Sequence, residues 1–324
     1  MITMRMMFCI LVVSVVLSFP AKAWHGLGHR TVAEMAWRKM DAAERQAASD
    51  LLRQHPHYKL MLIANVPAGV DTNEWAFLNA AVWLDMIRPA KPGEPAKPRS
   101  ITKYDVNPHA IGYPFVRRAV QGRVSLDKFT IAKPTAEMAL SNSLATLKNP
   151  KASAEDRAVS LCAVLHLFGD LHQPLHAANL VTKDKPKGNG LGSSFLVRDE
   201  SGQVINLHTY WDQAPGADVS CPAAMALAGK LAAAPEFQPA RLPEYYQHHT
   251  IPQWVQESFQ VAVNLGYNED RVQYALASAV KSGKVPESAI PALKADYIRD
   301  THVMAQRRIT LAGLRLTDAL KQVW

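Results

Sequence analysis

The chain has 324 residues, 48% of them apolar, and a formal net charge of +8. Its length permits one large domain or two ordinary ones, and its apolar content suffices for a sizeable core. With only three cysteines it is not a disulfide scaffold, and its basic balance favours polyanionic partners without specifying one.

The N-terminus reads as a cleaved secretory signal: Arg5, an apolar run over residues 6–19, then Pro20 and Ala21-Lys22-Ala23 with small residues where a signal peptidase reads. The run is shorter than the roughly 18 residues a membrane span needs, and no later segment supplies one. Cys9 lacks a lipobox, so no lipid anchor is expected either. The expectation is an exported protein, periplasmic or secreted, with no stable membrane anchor and no obligate protein partner. Loss of residues 1–23 would leave 301 residues, 324 less 23, at +6 after removal of Arg5 and Lys22. Cys162 and Cys221 would remain, and one bridge between them is compatible with an oxidising compartment.

Val32, Met35, Ala36 and Met40 fall at helical spacing. Residues 89–108 form a loop with five prolines among several basic residues. Helices are predicted over residues 136–148, 156–172, 254–265, 270–282 and 292–322. A second, Lys- and Gly-rich loop spans 183–192, with short strands at most near 194–197 and 204–207. No internal repeat or linker divides the chain. The class is mainly α, a single helical domain over residues 24–324 with at most a small β-hairpin.

The chemistry concentrates in His166-Leu-Phe-Gly-Asp170-Leu-His172-Gln-Pro174-Leu-His176. On a helix, His166 and Asp170 project from one face, offering an imidazole and a carboxylate to one metal. The helix around them is almost wholly apolar, so burying both without a partner would cost several kcal/mol, roughly. Pro174 disfavours helical geometry at Gln173, which places His176 on the following turn; His172 lies off the His166/Asp170 face and reads as structural. His208 and Asp212 repeat the spacing of four. One such pair is more often an ordinary helix face. Two pairs with His176 between them point to zinc.

With these motifs the chain resembles the zinc-dependent nucleases of the S-one/P-one type, related in fold to bacterial zinc phospholipases C, from Trp24 to the C-terminus. The family's mature chain begins with Trp and has a His five residues on, as Trp24-His-Gly-Leu-Gly-His29 does; Trp83-Leu84-Asp85 and His109 match its next elements. The resemblance implies three zinc ions: one held by Asp85, His109, His166 and Asp170; one by Trp24 and His29, with Asp170 bridging; and one by His176, His208 and Asp212. It further implies that a water activated between the paired zincs attacks phosphorus to leave 5′-phosphates. Asp85 and Asp170 would be catalytic with Arg88, which faces the phosphate. Trp254 to Ser258 and Ala312 to Leu316 also match the family, without an assigned chemical role.

Three positions depart from it. Where the family carries an aromatic after the first-loop His, an Asp or Asn two residues beyond, and Gly-Gly-Asn, this chain has Ala110, Gly112 and Leu191-Gly192-Ser193. Tyr113 and Phe115 are the candidate replacements for base stacking. The implied function is endonucleolytic cleavage of single-stranded DNA and RNA, with 3′-nucleotidase activity as an extension. A phospholipase C-like or other zinc phosphodiesterase is the alternative, and a non-catalytic metal- or nucleic-acid-binding protein the second. Asp212, where phospholipase relatives tend to carry Glu, and the basic charge favour the nuclease.

Overall fold

The computed structural model describes residues 24–90, 95–105 and 108–324. The expected signal segment and parts of the Pro-rich loop lie outside the described residues. Helices α1 (Gly26–Lys39), α2 (Ala42–Leu52), α3 (Thr72–Ala80), α4 (Trp83–Ile87) and α5 (Arg99–Thr102) come first. Strand β1 (Tyr113–Phe115), α6 (Ala136–Lys148), α7 (Ala154–His172), α8 (Pro174–Ala177) and strands β2 (Ala178–Leu180), β3 (Phe195–Arg198) and β4 (Val204–Asn206) follow. The chain continues with α9 (Leu207–Gln213), α10 (Cys221–Ala233), α11 (Pro243–Gln247), α12 (Ile251–Val261), β5 (Ala275–Leu276), α13 (Ala277–Lys281) and α14 (Ala295–Leu320).

α7 is the central element. Its N-terminus is set by Ser153, whose hydroxyl accepts from the Asp156 N–H, with Glu155 and Asp156 in the first turn. From Ser160 to His172 every residue is buried, so the helix is covered on all sides, as its nearly continuous apolar sequence requires. α6 and α1 pack against it, and α14 packs on α1 where Gly313 leaves room: a Cβ there would lie 2.8 Å from Met35 Cβ. A second, smaller apolar cluster, including Phe195, Trp211, Tyr267 and Tyr297, lies around the strands and α9.

The class is mainly α, as expected, but the strands exceed one hairpin. β1 and β2 pair in parallel, and β4-β3-β5 form an antiparallel sheet. The helix expected over residues 270–282 is reduced to α13, because Leu196 pairs with Ala275 and Phe195 with Leu276, drawing that segment out as β5. The Phe195 ring also stacks on Tyr274 at 3.5 Å between centroids, a tertiary contact that overrides helical periodicity. Cys162 and Cys221 are buried free thiols, not a bridge. Among the described residues no helix is long and apolar enough to cross a membrane.

Candidate metal centre

Five segments converge on one end of α7. Pro174 stops that helix at Gln173 and starts α8, which turns His176 toward the face carrying His166 and Asp170. His29 arrives from α1, lying so close to α7 that a Cβ on Gly169 would fall 2.5 Å from His29 Nδ1. Only glycine admits that approach. Asp85 comes from α4, His109 from the loop before β1, and His208 with Asp212 from one face of α9.

The eight predicted side-chain ligands fall into three groups, each able to hold a metal ion: His29, His166 and Asp170; Asp85, His109 and His166; His176, His208 and Asp212. Asp170 stands between the first two. Its Oδ1 is 3.6 Å from His29 Nε2, and its Oδ2 is 3.3 Å from His166 Nε2 and 3.2 Å from His109 Nδ1. The ninth predicted ligand, Trp24, is buried and packs over Gly28; its neighbour His25 donates its backbone N–H to Asp212 O at 3.2 Å, tying that segment to α9.

The donor set has a property that hydrogen bonding alone does not explain. The Nδ1 atoms of His166, His176 and His208 lie 2.7, 2.6 and 2.7 Å from the carbonyl oxygens of Ala81, His109 and Leu191. Each Nδ1–H is thereby spent on the backbone, leaving Nε2 as a lone pair. Two of those nitrogens lie beside carboxylates, His166 Nε2 3.3 Å from Asp170 Oδ2 and His208 Nε2 3.4 Å from Asp212 Oδ2, and His166 Nε2 also lies 2.9 Å from His109 Nδ1. Both Asp170 oxygens, Asp212 Oδ2, His176 Nε2 and both His29 ring nitrogens are buried without a hydrogen-bond partner. Opposed acceptors in a buried site need a cation between them.

Burial and neighbouring charges shift the titration of several of these groups. Burial, then the neighbouring His166, holds the His29 imidazole well below its usual range. Asp170 is buried too, but the facing His166 and His109 outweigh that and keep its carboxyl well below the ordinary value. Burial likewise works against a charged His166, yet Asp170 wins and raises it. Asp212 has no such compensation: burial pushes it well above the carboxylate range despite its bond from Gln173. As a carboxylate, Asp212 therefore requires a positive charge that the surrounding side chains do not supply.

Arg88 caps the end of α4, with Nε 3.2 Å from Asp85 Oδ1 and 3.1 Å from His109 Nε2. Lys97 fixes that turn by donating to the Met86 and Arg88 carbonyls at 2.9 and 2.7 Å.

Several functional residues escaped sequence reasoning. Gln173 is wholly buried and donates to Asp212 Oδ1 at 2.6 Å while its own oxygen accepts from Leu175 N, so it aims the Asp212 carboxylate from the α7–α8 junction. Its place between His172 and Pro174 was the available signal. Leu191 holds φ 58°, a left-handed conformation costing roughly 1–2 kcal/mol for a residue with a Cβ, and its carbonyl bonds His208. Behind the centre, His172 meets Arg315, and Arg308 and Ser258 reach the last carbonyls of α7, so the Trp254–Ser258 and Ala312–Leu316 segments brace this helix.

The departures at Gly112 and Leu191 meet in space. Gly112 has φ 66°, and a Cβ there would lie 3.1 Å from Leu191 Cδ2, so no larger side chain fits at 112 without displacing Leu191. Of the two candidate stacking aromatics, Phe115 packs against Phe259 and Tyr267, whereas Tyr113 is exposed with its hydroxyl on Glu137.

The family's sequence model spans residues 24–324 of this chain. The chain belongs to the S1/P1 nuclease family. It is similar to nuclease S1 of Aspergillus oryzae, with 27% identity over 190 residues, 58% of this chain and 53% of that protein. The match thus spans about half the length of that relative.

Proposed function

We propose that this protein is an exported zinc-dependent endonuclease that hydrolyses phosphodiester bonds of single-stranded DNA and RNA to 5′-phosphate products, with 3′-nucleotidase activity at the same centre. The observation that carries the reading is the gathering of these side chains into three groups able to hold a metal ion, with the Nδ1 atoms of three imidazoles on backbone carbonyls and both Asp170 oxygens, Asp212 Oδ2 and His176 Nε2 buried without a hydrogen-bond partner. In this reading Asp85, His109, His166 and Asp170 hold one zinc, His29 and the Trp24 main chain share Asp170 with a second, and His176, His208 and Asp212 hold a third.

Bound zinc supplies Lewis-acid charge at the scissile phosphate and at the attacking water. The chain's own residues do the rest. Asp170, anchored in the buried part of α7 between Ser160 and His172, would be shared by the paired sites, and Gln173 fixes Asp212. Arg88, braced by Lys97, presents a guanidinium able to bind phosphate oxygens in a bidentate manner. Side-by-side assays on single-stranded DNA, RNA, duplex DNA and phosphatidylcholine test the substrate class; hydrolysis of the lipid alone would overturn it. Metal analysis should return close to three zinc ions per chain, and a ratio below one in folded, zinc-reconstituted protein would remove the trinuclear assignment.

The N-terminus offers a separate test. If the Trp24 amine is a ligand, it must be freed by cleavage after Ala23 and be deprotonated to bind. Protein beginning Met-Trp24 should lose most phosphodiesterase activity at unchanged circular dichroism, compared with protein beginning at Trp24 after equal zinc loading. Equal activity would take Trp24 out of the site.

A further inference from the structure

The metal centre does not account for the location of the chain's excess positive charge. Residues 116–134 carry Arg117, Arg118, Arg123, Lys128 and Lys133 against Asp127. Residues 181–190 carry Lys183, Lys185 and Lys187 against Asp184. Together, eight bases less two acids, they hold +6 of the chain's +8, so the remainder is close to neutral.

Both stretches set out from the metal centre. β1 follows His109 and β2 follows His176, and because the strands are parallel, with Tyr113 beside Ala178 and Phe115 beside Leu180, they leave that end side by side. The pairing continues through Val181 N to Phe115 O at 2.9 Å. Beyond the strands the first stretch is anchored over the Tyr274 ring. The Arg117 guanidinium lies 5.4 Å over Tyr274 and bonds Glu269 at 3.0 Å. Arg117 is thus a structural tie, whereas Arg118, Arg123, Lys128, Lys133, Lys183 and Lys187 are exposed.

We propose that the two stretches form one cationic surface that takes the phosphodiester backbone of a single strand running away from the cleaved linkage. The proposal rests on the nuclease reading and adds where the rest of the substrate lies. A series of separated cations continuous with the reacting site suits a chain of phosphates, each neutralised locally with release of its counterions. The surface would discriminate by length: an oligonucleotide reaches it and a dinucleotide does not.

The test compares metal-loaded wild type with an Arg118→Gln, Arg123→Gln, Lys183→Gln, Lys187→Gln variant. kcat/KM is measured on single-stranded DNA about 20 nucleotides long and on a dinucleotide, from about 50 to about 200 mM salt. Equal zinc content and Tm establish that the variant is folded. The expected result is that wild type prefers the longer substrate, and that the variant loses about tenfold of this preference while the slope of log kcat/KM against log salt flattens by about 2 to 3, near 0.7 per phosphate contact. Identical preference and slope in the two proteins, with both cutting DNA, would overturn the surface and leave the nuclease reading standing. A variant that loses binding to phosphatidylserine vesicles but not its length preference would assign the charge to a membrane and overturn it equally. If neither protein cuts either substrate, the nuclease reading falls and takes the surface with it.

Discussion

Two buried polar clusters lie on different faces of α7, and they are satisfied in opposite ways. Behind the helix, Glu257 accepts from Arg308 and, at 2.6 Å, from Arg315; Arg315 also meets His172 Nε2 at 2.8 Å, and Arg308 reaches the His172 carbonyl at 3.3 Å. The cations there are side chains, and in that network only Arg315 Nε lacks a partner. At the front, both Asp170 oxygens, Asp212 Oδ2 and His176 Nε2 are buried without a hydrogen-bond partner. Burial of charge is therefore not what marks the functional cluster. The mark is a set of buried acceptor atoms left without donors from the chain.

Removing one front carboxylate should have the largest effect on chemistry. Asp170→Asn is expected to lower phosphodiesterase activity by well over 100-fold and to release zinc, because changes beyond the direct ligands already cost about 10 to 100-fold. Zinc content and turnover at saturating zinc check it; turnover near wild type would deny Asp170 its place between two sites.

Glu257→Gln should reverse the pattern. It leaves two buried guanidiniums without a counter-charge and should destabilise the fold by about 3–5 kcal/mol in urea titrations, with zinc content per folded molecule unchanged. The pH dependence follows from its carboxyl. Burial works against ionisation, but Arg315 and Arg308 hold it at about 2, below the ordinary 4.5. A carboxyl depressed in the folded state stabilises fully above its unfolded value and loses that contribution as pH falls through the folded one. The difference between wild type and variant should be full at neutral pH and shrink from about pH 4.5 toward 2. A gap that widens on acidification would show that the pair is not the source.

Gln173→Leu tests the junction between the two regions and should be the mildest. Asp212 keeps its position on α9 but loses the bond that aims it, so zinc affinity at the His176/His208/Asp212 group should fall by about 10 to 100-fold while the other sites keep their metal. Competitive chelator titration would resolve one weakened ion; uniform weakening of all three would make Gln173 a general structural residue.

Much of this was legible without coordinates because it is local. Four-residue spacing puts His166 with Asp170 and His208 with Asp212 on common helix faces, and Pro174 forces the turn that delivers His176; these depend only on helical period and proline stereochemistry. Helices α6, α7 and α14 carry their periodicity in the chain. Family resemblance reached further, to Asp85 and His109, which no local rule joins to α7.

What the sequence left open depends on contacts between distant segments. β5 exists because Phe195 and Leu196 pair with residues some eighty positions away. Gln173 gains its role only because α9 brings Asp212 within 2.6 Å, and Gly169 matters only because α1 presses His29 onto α7. The two basic stretches are separate runs in the sequence, and the parallel pairing of β1 with β2 carries them away from the same site. Residue type and spacing determine which groups can serve as ligands and cations; only packing decides which lone pairs end up facing one another, because desolvation and opposed charge arise when the segments meet.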